Sequence, residues 1–281
     1  MKLKKVVIIG TGLIGGSIGK ALLEKDLADE VIGICRRRSS LDRAMKERVV
    51  SKGYVNDYGK AIQGAEVILI ATPVHTIEEV LDRLAESPDI GSAVVTDVGS
   101  TKKEIVNYAA KYRDKFSFIG GHPLAGSEKT GVEYSAPDLF HDSICVLTPD
   151  ERTREENIKK LKKLWETIGA RVIIMDPEKH DENLALSSHL PHVVAFALAG
   201  TIEEDFPREV LASGFKDTTR IASSDPGLWS DIFLSNRDNI LKAVERFRKV
   251  LSGIADDIRK NRKEALKEDL DKCKKLRDGI S

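Results

Sequence analysis

His122 stands in Gly120-Gly121-His122-Pro123, directly after the apolar run 116–119. An imidazole held between glycines and a proline just past a strand is fixed in place yet open on several sides, which suits a general base beside a redox cofactor. The plain alternative is a loop histidine hydrogen-bonded for structure alone. A second set of residues, Gly10-Thr11-Gly12-Leu13-Ile14-Gly15, follows the strand-like run KKVVII and opens a helical pattern. In such a turn Gly10 permits the tight bend, Gly12 lets a pyrophosphate approach the backbone, and Gly15 allows close packing of helix on strand. The helix N-terminus then offers unpaired N–H groups to the anion. A glycine triplet alone is a weak signal, but the strand-turn-helix context points to a dinucleotide.

The acid that usually holds a ribose 2′-hydroxyl is expected about 20 residues past the glycines. That position is Cys35, and the chain continues Arg36-Arg37-Arg38-Ser39-Ser40. Guanidinium forks and hydroxyls suit a 2′-phosphate, so NADP is favoured and NAD is kept as possible. The alternative is a solvated charge run after a strand. The turns Thr72-Pro73-Val74 and Asp97-Val98-Gly99-Ser100 each follow a buried strand on the same sheet edge, where ligands collect in doubly wound folds.

These residues need a scaffold, and the apolar runs supply one. Runs at 6–9, 31–34, 67–70, 93–96, 116–119, 144–147 and 172–175 alternate with amphipathic stretches, the pattern of a parallel sheet built from βα units. The predicted fold class is α/β: a doubly wound, mostly parallel Rossmann domain over residues 1–175, then an all-helical domain over 176–281. Loops are expected at Ser213-Gly214 and Asp225-Pro226-Gly227. The stretch 186–202 is apolar almost all round, so a helix there needs burial on most faces, and a second subunit could supply it. A homodimer is the expectation.

The 281 residues balance 45 Lys+Arg against 45 Asp+Glu, so no overall field favours nucleic acid or an anionic membrane. The three cysteines lack metal-ligand spacing. Together with an N-terminus whose apolar run is too short for an export signal or a span, they point to the cytoplasm.

Four motifs in order carry a family likeness: Asp97-Val98-Gly99-Ser100-Thr101-Lys102, the His122 segment through Ala125-Gly126-Ser127-Glu128, Ser188-His189-Leu190-Pro191-His192, and Gly214-Phe215-Lys216-Asp217-Thr218-Thr219-Arg220. With the glycine turn they resemble the prephenate dehydrogenases, also called cyclohexadienyl or arogenate dehydrogenases, over nearly the whole chain. The resemblance implies oxidation of prephenate at C4 with loss of CO2 in tyrosine biosynthesis, by a form with no mutase region before it and no regulatory tail. It implies His122 as base for the C4 hydroxyl, Ser100 orienting His122, and Arg220 gripping a substrate carboxylate, with Lys216 and His192 near it. Ser127, Glu128 and His189 complete the expected pocket. Glu128 could instead hold the amino group of arogenate, while His192 tilts the choice toward prephenate. His189 and His192 also fit as core histidines of an apolar helix, Arg220 as an interdomain ion pair, and Trp229 as core. His75, His141 and His180 are expected at the surface or at helix caps. The rival family is that of the β-hydroxyacid dehydrogenases, where a lysine serves as acid/base. A non-catalytic dinucleotide sensor is the rival outside enzymes.

Overall fold

The computed structural model describes residues 2–87, 90–126 and 129–280. Strands β1 (Leu3–Ile9), β2 (Ala28–Cys35), β3 (Lys52–Val55), β4 (Val67–Ile70), β5 (Val94–Asp97), β6 (Ser117–Pro123), β7 (Ile144–Thr148) and β8 (Arg171–Ile174) form one sheet in the order β3-β2-β1-β4-β5-β6-β7-β8. Every neighbouring pair is parallel except β6 with β7. Helices α1 (Leu13–Glu24), α2 (Arg38–Lys46), α3 (Tyr58–Ile62), α4 (Ile77–Glu86), α5 (Lys103–Ala109) and α6 (Glu155–Thr167) cover its faces.

The side-chain alternation of β1 shows why its run is apolar throughout. Val6 and Ile8 join a core with Ile18 and Leu22 of α1 and Trp165 of α6, while Val7 and Ile9 join a second core with Leu81 of α4 and Ile105 of α5. A strand buried on both faces has no position for a polar residue. Strand β3 is the one the hydrophobic runs do not announce. Its sequence KGYV sits half-exposed at the sheet edge, where only one side needs covering.

Strand β6 changes the expected setting of His122. Residues 117–119 pair in parallel with β5, whereas Gly120, Gly121, His122 and Pro123 pair antiparallel with β7. The strand therefore runs through His122, which is not in a turn after it. Both glycines are required by the close approach of neighbours: a Cβ on Gly121 would lie 2.6 Å from the Asp97 carbonyl oxygen, and one on Gly120 would lie 2.3 Å from Thr148 Oγ1.

Past β8 the chain is helical among the described residues. Asp176 caps α7 (Pro177–Leu184) by accepting from the N–H groups of Glu178 and Lys179, with Pro177 at a position where its missing N–H costs nothing. A π-turn over Ala185–His189 leads into α8 (Leu190–Ala199), followed by α9 (Ser213–Thr219), α10 (Pro226–Ser235), α11 (Arg237–Arg259) and α12 (Lys263–Asp278). The loop expected at Ser213-Gly214 is instead the first turn of α9. Asp225 starts α10 by accepting from Leu228 N–H at 2.7 Å. In the single chain the stretch 186–202 is only partly covered, with Leu186 51% exposed and Val193, Val194, Phe196 and Leu198 half-buried.

Candidate active site

The carboxyl ends of β1, β2, β4, β5 and β6 share one edge, and two cavities lie along it. The first, about 590 Å3, is bounded by Gly10, Thr11 and Gly12 after β1, Cys35 and Arg36 after β2, and Thr72 and Pro73 after β4. Gly10 has φ +92°, and a Cβ there would meet the Ala71 carbonyl oxygen at 2.6 Å. A Cβ on Gly15 would lie 2.0 Å from Gly10 O, so only glycine lets α1 approach its strand. At Gly12 a Cβ would meet nothing within 4 Å, and α1 begins without a side-chain cap or a first-turn acid. Open space over Gly12 and uncapped N–H groups make a cradle that fits a pyrophosphate. Leu13 and Ile14 form the first turn of α1 behind this cradle.

Cys35 puts no carboxylate beside the cavity. Its Sγ lies 3.2 Å from Thr11 Oγ1, and burial pushes the thiol pKa up. Arg36, Ser40 and Arg43 border the space beyond it. Arg37 and Ser39, both expected there, do not line it, because Arg37 is the N-cap of α2 and Ser39 sits in its first turn. Val98 also lies outside the lining and donates its N–H to Ile70 O at 3.1 Å.

The second cavity, also about 590 Å3, brings together Ser100, His122, His189, His192, Arg220 and Trp229. His122 is buried, and its Nδ1 lies 2.8 Å from His180 Nε2. His180 Nδ1 in turn lies 2.7 Å from Asp181 Oδ1. Asp181 also accepts the backbone N–H groups of Lys102 (2.8 Å) and Lys103 (3.0 Å). Beneath these sits a fully buried ion pair, Lys102 Nζ with Asp97 Oδ2. The other Asp97 oxygen accepts Gly121 N–H at 3.0 Å, so the pair fixes the strand that carries His122. Burial holds the His122 pKa well below 6.5, with His180, Lys102 and His189 acting in the same direction. Its Nε2 has no partner among the described residues and is left to the cavity. Ser100 shares this cavity without a side-chain hydrogen bond to His122; the group expected to orient the imidazole is replaced in that role by His180.

On the helical wall, His192 stacks on Trp229 with ring centroids 3.4 Å apart and donates Nδ1–H to Ser188 O at 3.0 Å. Burial lowers its pKa, and the nearby Arg220 guanidinium lowers it too. His189 Nδ1 lies 3.2 Å from Asn236 Nδ2, whose group also donates to Asp181 O, and burial brings the His189 pKa to about 4. Arg220 makes no ion pair among the described residues, which removes the interdomain-pair alternative within this chain. The wall is thus neutral at its histidines and positive at Arg220, a combination that accepts a carboxylate. Lys216 is exposed on α9 and does not line the cavity. Ser127 and Glu128 lie outside the described residues.

With the geometry in place, comparison with known proteins supplies the lineage. A family model described as prephenate dehydrogenase, nucleotide-binding domain, matches residues 18–174, and one described as prephenate dehydrogenase, dimerization domain, matches residues 176–272. The chain belongs to the prephenate dehydrogenase family. The Bacillus subtilis prephenate dehydrogenase is 34% identical over 281 residues, 98% of this chain and 76% of its own length. A crystal structure of the Aquifex aeolicus prephenate dehydrogenase with hydroxyphenyl propionate and NAD+ is 36% identical, with TM-score 0.92 over 100% of this chain and 99% of that one. The Synechocystis arogenate dehydrogenase is 30% identical, with TM-score 0.83 over 99% of this chain and all (100%) of that one. The chain is an NAD(P)-dependent dehydrogenase of the prephenate and cyclohexadienyl class.

For a prephenate dehydrogenase family member, sequence reasoning overlooked the inner layer of this site. His180, expected at the surface or a cap, is 0% exposed and meets His122 directly, and Asp181, which carried no expectation, is 1% exposed and holds His180. The one signal was their place in the first helix after the sheet. Trp229, expected as core, is buried and also lines the cavity. His75, expected at the surface or a helix cap, is exposed and meets Asp231 of α10 at 2.6 Å. Arg43 lies three residues past Ser40, so helical spacing alone placed both on one face.

Proposed function

We propose that the chain converts prephenate to 4-hydroxyphenylpyruvate as a homodimer in the cytoplasm, preferring NADP to NAD. The observation that carries this is a neutral, buried imidazole whose Nε2 has no partner among the described residues, sharing a cavity with a guanidinium that makes no ion pair among them, beside a dinucleotide cradle. A nicotinamide held beside this cavity would supply the acceptor for the C4 hydride. His122 Nε2 takes the C4 hydroxyl proton, Arg220 holds a substrate carboxylate and orients the ring, and Trp229 with His192 forms a flat wall against it. Once C4 is a carbonyl, loss of the ring carboxylate as CO2 is driven by aromatisation, and the phenolate oxygen this leaves at C4 takes back the proton held by His122. Gly10, Thr11 and Gly12 would hold the pyrophosphate, and Arg36 with Arg43 a 2′-phosphate. The NADP preference rests on these two guanidiniums and on the missing acid at Cys35. Support for the dimer comes from the family's dimerization domain and from exposed apolar residues on α11.

The deciding experiment follows reduced nicotinamide by absorbance with prephenate and arogenate crossed against NADP and NAD. The expected outcome is fastest turnover with prephenate and NADP. Faster turnover with arogenate would reassign the substrate and leave the base in place. Replacing Arg36 and Arg43 together with Ala should cut NADP affinity about tenfold or more relative to NAD, each lost charged hydrogen bond being worth roughly 1.5–3 kcal/mol. An unchanged affinity ratio removes the phosphate assignment.

A further inference from the structure

We propose that His180 is a positioning residue through which the proton taken by His122 moves on toward Asp181, so that the charge formed during oxidation rests beside a carboxylate and not on the ring touching substrate. The inference rests on the assignment of His122 as the base.

The direction of the hydrogen bonds follows from the anchored end. Asp181 is 1% exposed and, as a carboxylate, only accepts; it takes the N–H groups of Lys102 and Lys103 together with His180 Nδ1 at 2.7 Å. His180 Nδ1 must therefore carry a hydrogen, which leaves the lone pair of neutral His180 on Nε2. That lone pair lies 2.8 Å from His122 Nδ1, so His122 carries its hydrogen there and presents a bare Nε2 to the cavity. One backbone-anchored carboxylate thus sets the tautomer of the base two residues away in the chain of contacts.

The same chain gives the proton somewhere to go. A positive His122 would sit buried with no carboxylate of its own, facing the Lys102 side of the Lys102–Asp97 pair, with His189 on the helical wall and the Cys145 thiol on β7. A positive His180 would sit directly against Asp181. In the balanced step the C4–H bond leaves as hydride to the oxidised nicotinamide, and the hydroxyl O–H pair becomes the carbonyl bond. The hydroxyl proton goes to His122 Nε2 as His122 Nδ1–H goes to His180 Nε2. His122 ends neutral in its other tautomer, and His180 ends as imidazolium. When the ring carboxylate leaves as CO2, its electron pair aromatises the ring and makes C4–O a phenolate; the transfers then reverse, His122 Nε2 returns the proton to that oxygen, and both imidazoles regain their starting forms.

His180→Gln separates relay from mere support, because its carboxamide oxygen can still accept His122 Nδ1–H but cannot take a proton. The expected result is a kcat lower by roughly tenfold to a hundredfold, little change in KM or cofactor affinity, a displaced acid limb of the pH–kcat profile, and a proton inventory in heavy-water mixtures that becomes linear where the parent's is curved. Parental kcat and pH profile in His180→Gln overturn the relay. If that variant does not fold, nitrogen NMR of the unaltered protein decides: Nδ1–H tautomers of both rings at neutral pH support the relay, and an Nε2–H tautomer of His122 refutes it. His122→Asn keeps the two ideas apart. If it turns over at the parental rate, the base assignment fails and the relay with it. If it is inactive while His180→Gln behaves as the parent, only the relay fails.

Discussion

A histidine serves as a base only in its neutral form, and His122 is placed where protonation is least favourable: buried, beside a second imidazole, and on the lysine side of an ion pair. Its pKa lies well below 6.5. The acid limb of kcat/KM should therefore fall below 6.5, the ordinary histidine value; a limb at or above that value in a pH series would contradict the burial argument. The proposed substrate grip follows the opposite logic. A guanidinium is a fixed charge, and with no carboxylate partner among the described residues Arg220 has both faces of its fork open to the cavity. The cost of an orphan charge is held down by leaving the side chain exposed at the cavity rim.

Strand β6 turns these residue properties into a site. The backbone of Gly121 is clasped by Asp97 on one side and by Leu147 on β7 on the other. Gly121→Ala would drive a methyl group to 2.6 Å from the Asp97 carbonyl, so we expect a loss of about 1–3 kcal/mol in denaturant unfolding together with loss of activity. A fully active, equally stable Gly121→Ala protein would show that the sheet can spread there at no cost. The difference between what this sequence discloses and what it conceals has a physical basis at this scale. The six inner strands announce themselves as apolar runs because both their faces are buried; of the two edges, β8 (RVII) still carries three apolar residues in a row whereas β3 (KGYV) does not, and so β3 stays silent. The glycine turn and His122 are legible from local chemistry. His180 and Asp181 are not, since their function depends on α7 docking against the Lys102–Lys103 backbone some 78 residues away in sequence, a contact no local pattern encodes. Arg37 and Ser39 were expected at the cofactor because a run of basic residues does not say which of them the helix turns inward.

Across the molecule, the histidines that make the cleft also set its tolerance of acid. His189 ionises near 4 in the folded protein against 6.5 in the unfolded chain. A lowered folded value means the unfolded chain binds the proton first, so stability is complete above 6.5 and is lost as pH falls from 6.5 toward 4, by on the order of 3 kcal/mol for this group. His122 acts in the same direction. Thermal unfolding across that range should show a falling Tm; a flat Tm would mean the cleft opens before it titrates. The helical half presents Leu241, Val250, Leu251 and Ile258 of α11 at 52–63% exposure, apolar side chains that a second subunit would cover. Analytical ultracentrifugation should find a dimer, and Leu241→Glu with Leu251→Glu should shift it to monomer; a parent chain sedimenting as monomer would rule out the dimer. Strand β6 also limits how the gene can drift. Side chains in a strand alternate between faces, so one codon added or removed between positions 119 and 122 would swing the imidazole through the sheet to its far side. Descendants are free to lengthen the loops around the site, but this short stretch must keep its count, and single-codon insertion scanning should find it among the least forgiving places in the chain.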